Sequence, residues 1–106
     1  MSRRSLSLAA AAALLLSAGA VPAFAASENY QTYCAVCHGD DGKAQTEKGK
    51  EKGARDFTNK KWQSSVSDER LMGSISKGKG KMPSFKSKLS EDEIKALVKE
   101  VRSFAQ

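Results

Sequence analysis

Cys34-Ala35-Val36-Cys37-His38-Gly39 is the stretch on which the reading of this chain turns. It holds both cysteines and the only histidine among 106 residues. Cysteines three positions apart on a helical turn share one face, and the histidine follows directly. Thiols so placed suit a disulfide, a redox pair, half of a zinc site, or attachment to two neighbouring points of one flat molecule. A thioredoxin-like pair requires βαβ surroundings, and no segment here alternates with the period of two that marks a strand. A closed zinc site requires four ligands, and no second cysteine pair is present.

Upstream residues set the compartment. Arg3 and Arg4 precede a Leu/Ala-rich run over residues 6–20, and Ala23-Phe24-Ala25 is a small-x-small cleavage site. Residues 1–25 therefore read as a secretory signal peptide and residues 26–106 as a single exported domain. If retained, residues 6–26 are barely long enough to tether the protein to a membrane.

The domain is short of core material. Leu, Ile, Val and Phe number 12 in the 81 residues after Ala25, about 15%. Charged chains below roughly 20% tend to be disordered. A fold then depends on a cross-link, a metal or a large apolar cofactor. With the sole histidine directly after the sole cysteine pair, C-x-x-C-H reads as a haem-attachment motif. Cys34 and Cys37 would form thioethers to one covalent haem, and His38 would face the iron.

Helix signals punctuate the rest. Ser27 caps a first helix running through Tyr30 and Tyr33 to the cysteines, ended by Gly39-Asp40-Asp41-Gly42. From there to Phe57 the chain is polar and reads as a long loop wrapping something that is not protein. A short helix carrying Trp62 is expected over residues 59–64. Ser67 caps a helix with Leu71, Met72 and Ile75 on its apolar face, ended by Gly78. Ser90-Glu91-Asp92-Glu93 is a capping box, with Leu89 stapled onto Ile94. Ile94, Leu97, Val98, Val101 and Phe104 then follow at helical spacing.

The domain resembles the class I c-type cytochromes, small monohaem electron carriers of the bacterial periplasm. The resemblance rests on Tyr30, Cys34-x-x-Cys37-His38-Gly39, Asp56-Phe57-Thr58, Trp62 and Ser67-Asp68-Glu69. It continues through Gly80-Lys81-Met82-Pro83-Ser84-Phe85 to the closing Leu97-Val98 and Val101-Arg102-Ser103-Phe104. It implies an all-α fold of three to five helices around one haem c, with first and last helices crossing. It also implies His38 as proximal and Met82 as distal iron ligand, and Trp62 as a propionate contact. A thioether is a soft, neutral ligand, and Pro83 stiffens the loop at Met82. Met72, on a helix face with Leu71 and Ile75, reads as core. The chain departs from the family in lacking a proline between Gly39 and Lys81, whose carbonyl commonly orients the histidine. A carbonyl near Gly53 or Ala54 is expected instead. Glu100 also stands where relatives carry an aromatic residue, which predicts a looser helix crossing.

The expected role is single-electron transfer without catalysis, because two filled axial sites leave no place for a substrate. The formal charge of +6 falls to +4 without the signal, and five lysines (77, 79, 81, 86, 88) flank the Met loop. They suit redox partner proteins with an acidic docking face. Nucleic acid is not expected, membranes are met only through partner complexes, and the protein is expected to be monomeric. The alternatives are a haem subunit of a larger oxidoreductase, a five-coordinate sensor or peroxidase, and a haem-free disulfide protein.

Overall fold

Six short α-helices follow one another along residues 27–106, the part of the chain that the computed structural model describes. The signal-peptide and tether readings lie outside the described residues. The helices are α1 Glu28–Tyr33, α2 Ala35–His38, α3 Glu47–Lys52, α4 Lys60–Ser65, α5 Asp68–Lys77 and α6 Glu91–Ser103. Among the described residues there is no strand, and no helix is long and apolar enough to cross a membrane.

The count exceeds three to five for two local reasons. The expected first helix breaks at Cys34, where φ is −112°. The Cys34 N–H still donates to the Tyr30 carbonyl at 2.9 Å, and the Cys34 carbonyl accepts from His38 N–H at 2.9 Å. The turn carrying the cysteines thus hangs from α1 as a separate unit. The expected loop from Gly42 to Phe57 also contains α3, capped by the Thr46 hydroxyl on Gly49 N–H.

The other caps fall where their residue types require. Asn59, Ser67 and Ser90 accept from Trp62, Arg70 and Glu93 N–H, and Glu93 returns a bond to Ser90 N–H. On α6, Ile94, Leu97, Val98 and Val101 are buried at the spacing of one helical face. They meet Leu71 and Ile75 of α5, Phe85 and Leu89 of the connection, and Tyr30 of α1. Each fully buried side chain of this kind contributes about 1.5–3 kcal/mol.

First and last helices are joined by apolar and polar contacts. Tyr30 and Phe104 rings lie 5.2 Å apart. Asn29 Nδ2 donates to Glu93 Oε2 at 2.9 Å, and Ser27 N–H donates to Glu100 Oε2 at 3.3 Å. The glutamate in the aromatic position therefore serves the start of α1. A second clasp closes the far end of α6. Arg102 donates to the Gln63 carbonyl (2.6 Å), Gln63 Oε1 (3.0 Å), the Val66 carbonyl (2.6 Å) and Asp68 Oδ1 (2.9 Å). Buried Gln63 in turn donates to the Phe57 and Val101 carbonyls, both at 2.8 Å.

Candidate cofactor site

A cavity of 590 Å³ opens between the Cys34–His38 turn, the segment from Lys52 to Phe57, α5 and the loop around Met82. Its walls include Phe57, Leu71, Ile75, Phe85 and Val101, with Tyr33 and Trp62 at the sides. The size and apolar lining are those of a small-molecule site with a few placed polar groups. Cys34, Cys37, His38, Met82 and Trp62 all border this one space, whereas Met72 does not and packs half-buried against the core.

His38 is held from two sides. Its Nδ1 lies 2.9 Å from the Arg55 carbonyl. A carbonyl only accepts, so Nδ1 carries the proton and Nε2 keeps a free lone pair. The imidazole stacks on Phe57 with centroids 4.1 Å apart and 16° between planes. Burial holds the His38 pKa below its ordinary value, against the opposing pull of the Arg55 bond.

The orienting carbonyl is thus Arg55, one residue beyond the expected Gly53–Ala54 pair. Gly53 takes a left-handed φ of +65° to end α3, and its N–H turns back to the Gly49 and Lys50 carbonyls. Ala54 N–H also returns to the Gly49 carbonyl, at 2.8 Å. The carbonyl that faces the imidazole comes one peptide later.

Cys34 is buried and its thiol is pushed up to about 12, first by burial, then by Glu100 and Cys37. It is fully protonated at neutral pH. Cys37, three residues on, is half-buried. Met82 sits in a tight turn: Lys79 and Met82 exchange both backbone bonds, at 3.1 and 2.9 Å, across Gly80 and Lys81. Trp62 stacks on Phe57 at 5.8 Å and lies under the Arg55 guanidinium at 5.4 Å.

Three contributors were not legible from residue types alone. Phe57 stands in the family-like Asp56-Phe57-Thr58, but nothing local to it announces a stack on His38. Arg55 contributes through its main chain, which carries no side-chain signal. Thr46 reaches the Val36 carbonyl at 2.7 Å and the Cys37 carbonyl at 3.1 Å. Thr46 followed by Glu47 is a helix-start signal, and it was the only available hint.

A helical chain around an apolar cavity edged by C-x-x-C-H and a Met-Pro loop defines a small c-type cytochrome, which carries covalently bound haem c. Residues 21–99 match the family model described as cytochrome c oxidase, cbb3-type, subunit III, and the chain belongs to this cytochrome family. It is similar to the solved KustC0563 c-type cytochrome, at 43% identity and TM-score 0.70, over 74% of this chain and 94% of that one. A tyrosine-to-phenylalanine mutant of Kustc0563 matches at 43% identity and TM-score 0.67, over 72% and 93%. No curated protein matches the chain. The residues present fit the haem: two thiols, an imidazole with a free nitrogen and a thioether border one apolar space.

Proposed function

We propose that this protein is a periplasmic carrier of single electrons, with one haem joined to Cys34 and Cys37 and ligated by His38 and Met82. The observation that carries the reading is the convergence of those four side chains on one 590 Å³ cavity. A haem held there supplies a reversible one-electron couple.

The chain's own groups define how that couple is used. Arg55 aims the imidazole and raises its basicity through the Nδ1–H bond. Met82 offers a soft, neutral sulfur that favours the reduced state. Phe57, Leu71, Ile75 and Phe85 exclude water, which disfavours the more highly charged oxidised state. Trp62 and Arg55 line the cavity and would be partners for the haem carboxylates. Lys77, Lys79, Lys81, Lys86 and Lys88 are all exposed around the Met82 turn and would steer an acidic partner protein. The solved relatives are covered over 93% or more of their lengths, so the likeness is to whole small cytochrome chains.

Haem staining on a denaturing gel, followed by absorption spectra, tests the reading. The stain should persist after denaturation. The oxidised protein should show the sulfur-to-iron band at the far-red end of the visible. A five-coordinate spectrum in the unaltered protein would overturn the carrier reading in favour of a sensor or peroxidase.

A further inference from the structure

We infer that Thr46 is a positioning residue for the His38 ring, acting through α3 in place of the proline that this chain lacks. The inference rests on the reading of His38 as proximal ligand. No proline lies between Gly39 and Lys81, so the loop over residues 39–57 has no rigid residue of that kind. It is stiffened instead by a closed circuit of contacts.

The circuit starts at the Thr46 hydroxyl. Its proton points to the Val36 carbonyl at 2.7 Å, with the Cys37 carbonyl at 3.1 Å. Its oxygen accepts from Gly49 N–H at 2.9 Å. One hydroxyl therefore joins the end of the cysteine turn to the start of α3. The two segments touch directly at Gly49, where a Cβ would stand 2.0 Å from the Cys37 carbonyl oxygen. Only glycine permits that approach.

From Gly49 the circuit returns to the histidine. The Gly49 carbonyl accepts from Ala54 N–H at 2.8 Å, and the next residue, Arg55, accepts from His38 Nδ1 at 2.9 Å. A further bond runs from Ala44 N–H to the His38 carbonyl at 2.8 Å. Ala44 has a φ of +57°, the one positive value outside glycine among the described residues. Such a conformation persists only where its surroundings over-determine it. The ring of His38 is thus referred to α3, and its main chain to Ala44 in the turn that leads into that helix. Removing the Thr46 hydroxyl would free α3 from the cysteine turn and let the Arg55 carbonyl drift from Nδ1.

The bond to Nδ1–H makes the imidazole a stronger donor, which favours oxidised iron. Loosening it should raise the potential. The test uses the haem-loaded protein and three variants: Thr46→Val, Thr46→Ser and Ser90→Ala. Thr46→Val should shift the reduced-to-oxidised ratio at fixed potential by about threefold, which is about 28 mV at roughly 59 mV per tenfold for one electron. Exchange of the His38 ring N–H, followed by NMR in the reduced state, should quicken by about tenfold. Thr46→Ser should restore both. Ser90→Ala, which removes a cap on α6 remote from this circuit, should lower thermal stability and leave both readouts unmoved. A Thr46→Val protein that loses stability alone would overturn the inference, as would failure of serine to restore the readouts. If Thr46→Val yields no haem-loaded protein, the unaltered protein decides. Its ring N–H and the Gly49 and Ala54 amides should share one opening rate, and a ring proton exchanging while both amides stay protected refutes the circuit. Failure of His38 ligation itself would show in the spectrum of the unaltered protein, before any variant is made.

Discussion

The Tyr30 phenol donates a 2.7 Å hydrogen bond to the Gly39 carbonyl, and no part of the tyrosine reaches solvent. The two are nine positions apart, and between them lies the whole cysteine turn. The bond fastens the far end of that turn to α1. Tyr30→Phe removes this bond and leaves the carbonyl its 3.1 Å bond from Gly42 N–H, at a cost of about 0.5–1.5 kcal/mol. Chemical denaturation of the haem-loaded protein measures it.

The same phenol sets an alkaline limit. Burial, reinforced by Cys34, Glu100, Asp40 and Asp41, raises its pKa well above the ordinary 10.0. The folded state holds this proton more tightly than the unfolded one. The associated stability is complete below pH 10 and is lost as pH rises toward the folded value. Tyr30→Phe should flatten the decline of stability above pH 10. An unchanged slope would show that another group is responsible.

Met82 and Met72 separate ligation from packing. Met82→Ala should leave the haem covalently bound, abolish the far-red band, lower the potential and admit cyanide faster. Met72, only half-buried, should cost about 1–2 kcal/mol on truncation to alanine, less than the 2–5 kcal/mol of a fully buried methionine. Its band should survive. Spectra of the two oxidised variants decide between them.

Arg102 should be the most sensitive charged residue for stability. It satisfies the Gln63 and Val66 carbonyls as well as Asp68. Arg102→Ala should cost about 2–3 kcal/mol, since charged groups make the stronger bonds and carbonyls are left unpaired. Arg102→Lys should recover little, because an ammonium lacks the planar fork. Asp68→Ala should cost less than about 1 kcal/mol, as its carboxylate is exposed. Urea midpoints of the three variants give the comparison.

Glu93 should govern part of the acid side. The bonds from Ser90 N–H and Asn29 hold its pKa below the ordinary 4.5. A depressed carboxyl contributes stability that is present above 4.5 and is lost as pH falls through the folded value. Glu93→Gln should make thermal stability less steep in pH below 4.5, and identical slopes would remove Glu93 from the account.

Legibility followed the range of the forces involved. α5 and α6 were readable because Ser67, Ser90 and Glu93 act within four residues and the apolar spacing repeats. α3 was not, because Lys48, Gly49, Lys50, Glu51 and Lys52 carry no apolar face. That helix is held by Thr46 and Gly49 against carbonyls nine or more residues away. Cys34, Cys37, His38 and Met82 were readable by type and spacing, and all four border the cavity. What orients His38 was legible only as a neighbourhood around Gly53 and Ala54, since a backbone carbonyl leaves no mark in side-chain chemistry and its direction depends on how α3 ends.

The joining of α1 to α6 governs the order of events during synthesis. Ser27 meets Glu100 across 73 positions, and Asn29 meets Glu93 across 64. Contacts of such separation form late, because closing a long loop costs entropy before any contact offsets it. A ribosome has already released Cys34 and Cys37 while the partner of α1 is still unmade. The cysteine turn therefore stays unclosed by α6 until the end of the chain is made. Nonsense mutations that delete the last fifteen residues should leave a chain that accepts haem yet is degraded.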